Sequence, residues 1–244
     1  MSPPKNVIHQ KASINMEPIA LIRSCFTDKF GIPRQPGLVP AATARLEMLP
    51  PYNRPEAMEG LDEFSHIWVF FLFHQAVCRG WKPTVRPPRL GGNKRVGVFA
   101  SRSPQRPNFI GSSVVRLDKI SRESKSVVIH VSGVDFLDQT PVLDIKPYVP
   151  YSDAESAATS GYAPEPTPSF DIIFSPEVLH FCQKYEQRTE RKLQELIEQI
   201  LGQDPRPAYH ENNREYGMTL WDLNIRFACH KSTFTVNSIS AVSE

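Results

Sequence analysis

The chain has 244 residues, 40% of them hydrophobic, enough for one large domain or two small ones with a real core. No secretory signal opens it, and its longest apolar run, Ile67 to Phe73, is far too short to span a bilayer. Its four scattered cysteines, Cys25, Cys78, Cys182 and Cys229, include no C-x-x-C pair; membrane, disulfide-framework and zinc classes give way to a cytoplasmic protein with reduced thiols. With 23 prolines, 12 glycines and a net charge of only +2, the composition disfavours helical bundles and suits short strands joined by shaped turns.

Met1 to Asn15 reads as a frayed arm. Residues 16–151 carry short segments of strand character: Pro18 to Arg23, Ala44 to Leu49, His66 to Phe73, Arg95 to Ala100, Ser113 to Ile120, Ser126 to Val134 and Val142 to Tyr148. Val127, Ile129 and Val131 recur at period two, as in a strand with one buried face, whereas Ile67 to Phe73 is apolar throughout and is expected to be buried on both faces. No amphipathic crossover intervenes, which argues against a doubly wound sheet and for a mainly β barrel or sandwich.

Residues 152–168, SDAESAATSGYAPEPTP, are small, polar and proline-bearing, the composition of a linker. Residues 169–244 read as a small α+β domain. Ser175, Pro176 and Glu177 supply an N-cap, a first-turn proline and an early acid, opening a helix with Val178, Leu179, Cys182 and Tyr185 on one face. Leu193, Leu196, Ile197, Ile200 and Leu201 give a second helix, closed by Gly202. Tyr216 to Trp221, Leu223 to Cys229 and Ser232 to Ile239 alternate as a three-stranded meander.

From Phe64 to Leu117 the chain carries nine Lys or Arg and no Asp or Glu; removing those nine from 28 leaves 19 basic against 26 acidic residues elsewhere. The molecule is strongly dipolar, and its basic segment points to a polyanion. Arg86, Arg89, Arg95, Arg102 and Arg106 alternate with prolines and glycines, so they are displayed from pre-shaped loops.

Nucleotide-binding signatures are missing: there is no P-loop, and Gly91-Gly92 lacks the lysine and helix context for one. His74 and Gln75, where the apolar run ends, are placed to touch a ligand at a barrel rim, while His66 and His74 lack a firm third partner for a metal. Asp135, Asp138 and Asp144 either cap turns and pair with cations such as Lys146, or receive a proton or hold a cationic ligand. Asp204 to Tyr209 sets Arg206 and Tyr209 in a proline-stiffened loop, as either an arginine–aromatic RNA contact or a plain helix stop.

Five ordered motifs, PRQPGLV from Pro33, GLDEFSHIWVFFLFHQ from Gly60, RPPRLGGNKRVGVFASRSPQRPNFIG from Arg86, GVDFLDQTPVLDIKPYVPY from Gly133 and QDPRPAY from Gln203, resemble the TrmO family, also called YaeB or TsaA-like proteins. The resemblance implies an antiparallel β-barrel-like cofactor-binding domain. It implies an S-adenosylmethionine-dependent tRNA methyltransferase acting, as a homodimer, on N6 of threonylcarbamoyladenosine, 3′ of the anticodon. Cofactor contacts carried over are Pro33, Arg34, Gln35, His74, Gln75, Arg102, Ile110, Asp135, Phe136, Leu137 and Asp138. Gln105 stands where relatives commonly have a bulky residue, and Gln139 where a glycine is usual.

Within that frame Asp135 and Asp138 are the candidate proton acceptors, and no metal is expected. Arg86, Arg89, Lys94, Arg95, Arg106, Arg206 and Tyr209 are the candidate contacts to the anticodon stem-loop. Two other readings remain open on the residues alone: a non-catalytic RNA-binding module using the same arginine loops, and a small phosphate or nucleotide binder.

Overall fold

The structure is a computed structural model that describes residues 13–90, 93–123, 126–162, 170–206 and 214–242. The first strands are β1 (Ala20–Ser24), β2 (Thr43–Met48) and β3 (His66–Leu72), followed by one helical turn, α1 (His74–Val77). A two-stranded ribbon, β4 (Thr84–Val85) with β5 (Val96–Gly97), precedes the long β6 (Ile110–Glu123), β7 (Ser126–Ser132) and β8 (Pro141–Pro147). Six of these strands close an antiparallel barrel in the order β1-β2-β7-β6-β3-β8.

The barrel interior is filled from one parity of each strand. Val127, Ile129 and Val131 of β7 are buried, as their alternation predicts, and each contributes roughly 1.5–3 kcal/mol of transfer free energy. In β3 only Ile67, Val69 and Phe71 are buried; Trp68, Phe70 and Leu72 are half-exposed. The two-faced burial expected for this run does not occur, because a closed barrel has one packed face. Outside it the rings cover each other instead, Trp68 stacking on Phe70 at 6.2 Å with the Lys146 amine 5.6 Å above Phe70.

Closure is uneven. β3 and β6 pair over seven residues, whereas β1 meets β8 only at Ala20↔Val142 and Leu21↔Pro141. The segment Arg95 to Ala100, expected as a strand, pairs only at Val96 and Gly97 and then winds into a 3-10 turn, Val98–Ala100.

After a short helix α2 (Pro150–Asp153), the C-terminal unit consists of β9 (Asp171–Phe174), α3 (Pro176–Thr189), α4 (Leu193–Gly202), β10 (Glu215–Leu220), β11 (Leu223–His230) and β12 (Thr233–Ala241). Ser175 caps α3, its hydroxyl accepting from the Val178 amide at 3.3 Å. The meander β10-β11-β12 forms, but β9 adds to it in parallel, making a four-stranded sheet where three strands are expected. A parallel partner needs a helical crossover, and α3 and α4 both lie between β9 and the meander in sequence.

The two parts share one buried cluster. Phe26, fully buried, bridges to Leu137 in the loop after β7 and to Leu220 at the end of β10, and the Trp221 amide donates to the Cys25 carbonyl at 2.8 Å.

Candidate functional site

Where β3 ends, the Phe73 amide donates to the Phe109 carbonyl at 2.8 Å, and the chain turns into α1, bringing His74 and Gln75 to the barrel rim. Facing them is the loop after β7. Gly133 takes φ +71 and lies so close to the backbone of Gly37 that a Cβ there would sit 3.4 Å from its Cα, and the Gly37 amide donates to the Gly133 carbonyl at 2.8 Å. This contact ties the loop that follows Pro33, Arg34 and Gln35 to the start of the segment leading to Asp135.

Between α1 and this loop lies a cavity of about 490 Å³, within the usual range for a small-molecule site. Phe71, Phe73, Ile32 and Leu137 give it apolar walls; His74, Gln75, Asp135 and Thr140 give it polar groups; Lys29 and Arg79 give it cations. Phe71 and Phe73 meet edge to face at 5.0 Å, and both press on Gly111 of β6: a Cβ there would lie 2.4 Å from the Phe71 ring and 2.9 Å from the Phe73 ring.

Asp135 is the chemically perturbed group. Burial pushes its carboxyl up to about 6, against the Ser113 hydroxyl, which donates to it at 2.7 Å, and the positive charge of Arg102. Ser113 itself is buried on the inner face of β6. Burial and the nearby Lys29 hold His74 below its ordinary value, so it is neutral at pH 7, and its Nδ1 lies 3.4 Å from the Thr140 hydroxyl. A carboxylate able to exchange a proton near neutrality thus faces an uncharged imidazole across a part-apolar cavity.

The residues anticipated from sequence are placed differently from one another. His74, Gln75, Asp135 and Leu137 line the cavity. Arg102 donates to the Gln35 side-chain carbonyl and acts electrostatically on Asp135. Pro33 is buried, and Arg34 reaches away, donating to the carbonyls of Asp204 and Arg206, both at 3.3 Å. Ile110 pairs with Leu72, and Phe136 is fully buried against Phe71 at 5.0 Å, behind the wall. Asp138 is a strand anchor, accepting from the Ser24 amide at 2.9 Å and the Gln139 side chain at 3.0 Å. Asp144 lies on the barrel exterior, 3.9 Å from Lys146.

Of the candidate RNA contacts, Arg86, Lys94 and Arg95 are exposed. Arg106 is half-buried and donates to the Ser101 carbonyl at 3.0 Å. The side chain of Arg89 and the whole of Tyr209 lie outside the described residues. Arg206 is turned inward: its side chain is 10% exposed, it grips Asp204 through two bonds of 2.7 and 3.0 Å, and it lies 5.1 Å from the Phe234 ring. That position makes it a packing residue rather than a surface cation.

Lys29, Arg79, Phe71, Phe73, Gln105 and Thr140 also line the cavity and were not indicated by the sequence reading. Phe71 and Phe73 are hidden there inside an apolar strand. Ser113 leaves one signal, a polar residue at the inward parity it shares with Val115.

Comparison with known proteins places the fold in one family. Residues 21–154 match the family profile of the tRNA-methyltransferase O N-terminal domain, and residues 167–242 that of the TrmO C-terminal domain. The chain is 51% identical over 87% of its length to the Pseudomonas aeruginosa protein named "Putative S-adenosylmethionine-dependent methyltransferase RcsF", of which it covers 91%. It is 43% identical over 92% of its length to the Escherichia coli (strain K12) tRNA (adenine(37)-N6)-methyltransferase, of which it covers 97%. The crystal structure of TrmO from Pseudomonas aeruginosa superposes with a TM-score of 0.80 at 43% identity, covering 94% of this chain and 99% of that one.

Proposed function

This chain belongs to the TrmO family, and from that membership we propose that it methylates N6 of adenosine 37 in tRNA, on adenosines that carry a threonylcarbamoyl group. The methyl donor is S-adenosylmethionine. The observation that carries the reading is a proton-exchanging carboxylate, Asp135, in a ligand-sized cavity whose wall includes Arg79 and Gln105 of the acid-free basic segment.

The cavity's chemistry fits the donor. Lys29 and Arg79 suit its carboxylate, the rings of Phe71 and Phe73 suit its flat and apolar parts, and Asp135 suits its positive centre. Once bound, the donor supplies a methyl group activated by a sulfonium. The acceptor nitrogen is conjugated to a purine and a urea-like carbonyl and is a poor nucleophile, so the chain's first task is alignment. Its second is to take the proton that this nitrogen loses, and Asp135 does so: with its carboxyl near 6 it is mostly ionised at pH 7 yet basic enough to accept. Asp138, whose carboxylate is spent on the end of β1, positions the loop.

The family resemblance supports a homodimer. Four free thiols, Cys78 exposed among them, support a reducing cytoplasmic setting. The test is incorporation of label from S-adenosylmethionine into tRNA. Label is expected only in tRNA bearing the threonylcarbamoyl group; equal labelling without that group would refute the substrate, and no labelling at all would refute the activity.

A further inference from the structure

Two large rings lie exposed on the basic ribbon. Trp81 is 55% and Phe99 is 77% exposed, although side chains of this size bury most of their surface in folded proteins. Among the described residues neither ring stacks on another ring or on a cation.

The ribbon fixes where they stand. Thr84 pairs with Gly97 and Val85 with Val96, and the Val98 amide donates to the Pro83 carbonyl at 3.0 Å. Phe99 follows Val98, and Trp81 lies two residues before Pro83, so both rings belong to the same end of the ribbon. That end is tied to the cavity: the Lys82 amide donates to the carbonyl of Gln105 at 2.9 Å, and Gln105 and Arg79 are both wall residues. Arg79, Lys82, Arg86, Lys94 and Arg95 are exposed on this segment, which contains no acid.

Exposed rings amid cations that make no ion pair among the described residues match an occupant with flat apolar faces and dense negative charge, as unpaired nucleotides have. An adenosine whose N6 must reach a cavity has to leave its stack, and its neighbours then need a surface that accepts their vacated faces. We propose that Trp81 and Phe99 are stacking platforms for the unpaired nucleotides flanking the target adenosine, holding the tRNA loop open at the mouth of the cavity. This inference rests on the tRNA reading above and adds specificity-determining residues to it.

The test compares wild-type protein with Trp81→Ala, Phe99→Ala, Phe99→Tyr and Arg95→Ala. Affinities are measured for an anticodon stem-loop RNA over a salt series, for an RNA duplex of equal length, and for S-adenosylmethionine. Each alanine at a ring is expected to weaken stem-loop binding about 5- to 150-fold, the range measured for loss of one base–aromatic stack. Donor affinity and duplex binding should not change. The salt slope should stay parallel to wild type, because stacking releases no counterions, while Arg95→Ala flattens it. Phe99→Tyr should bind as wild type does. Stem-loop affinity within twofold of wild type in both ring variants would overturn the inference, as would equal losses on loop and duplex, or loss of donor binding with the ring. If wild type methylates the stem-loop and the ring variants behave normally, this inference alone fails; if wild type neither binds nor methylates it, the tRNA reading fails first and takes the platforms with it.

Discussion

Asp135→Asn tests whether one carboxylate both serves the reaction and destabilises the fold. Its carboxyl is pushed from an ordinary 3.8 up to about 6 by burial. In the unfolded chain it titrates near 3.9, so the shift is about two units, and at about 1.4 kcal/mol per unit the folded protein loses roughly 3 kcal/mol through this group. The sign follows from proton counts. Between pH 4 and 6 the folded state holds the proton and the unfolded state does not, so stability falls as pH rises through that window and stays low above it. Asparagine is nearly isosteric, can still accept from Ser113, and does not ionise. Urea unfolding of both proteins should give equal stabilities near pH 4, apart from a constant offset, with the variant gaining about 3 kcal/mol on wild type by pH 7.5. The same variant should lose single-turnover methyl transfer even with the donor at saturation. A stability difference that does not change with pH would refute the buried-carboxylate argument, and unimpaired turnover would remove Asp135 as proton acceptor.

Gly111→Ala places a methyl within 2.4 Å of the Phe71 ring, so the rings of Phe71 and Phe73 must move into the cavity; titration calorimetry should show donor affinity at least tenfold weaker, with an overpacking cost of about 1–3 kcal/mol. Gln139 sits at φ +62 where glycine is free of strain, so Gln139→Gly should raise the unfolding free energy by roughly 0.5–1 kcal/mol in thermal melts, its lost bond to Asp138 being solvent-exposed. Arg206→Ala leaves Asp204 without its bidentate partner and should destabilise by about 1–3 kcal/mol. In a salt titration of tRNA affinity that variant's slope should match wild type, whereas Arg95→Ala lowers it by about one.

How far the sequence is legible varies with the kind of information each feature needs. The buried face of β7 and the apolar stripe of α4 are local periodicities, so Val127, Ile129, Leu196 and Ile200 land inside as read. Ser175 announces its cap through the residues beside it. His74 and Gln75 are marked by the end of an apolar run, and with Asp135 by the family motifs, and the three meet in one cavity. The inward packing of Arg206 is not legible, because its partner rings, Phe170 and Phe234, are distant in sequence and no local pattern says that a cation will lie over them. The direction Arg34 takes is hidden in the same way: its acceptors are main-chain carbonyls 170 and 172 residues away. The fourth strand, β9, hides because four residues at a linker's end carry too little alternation to be read.

The barrel's thinnest joint has a kinetic consequence. β1 and β8 meet over two residue pairs separated by about 120 positions along the chain, and one of the four residues is Pro141, which has no amide hydrogen to give. So long a loop closes at an entropic cost before its few bonds return anything, which makes this the contact of highest order in the barrel and the last expected to form. For the same reason it is the line along which the finished sheet opens at least cost. Thr140, a wall residue of the cavity, immediately precedes Pro141 and gives its carbonyl to the Ile22 amide at 3.0 Å. The cavity proposed for the donor therefore lies against the joint expected to open most readily, and slow amide exchange at Ile22 would measure how firmly it is kept shut.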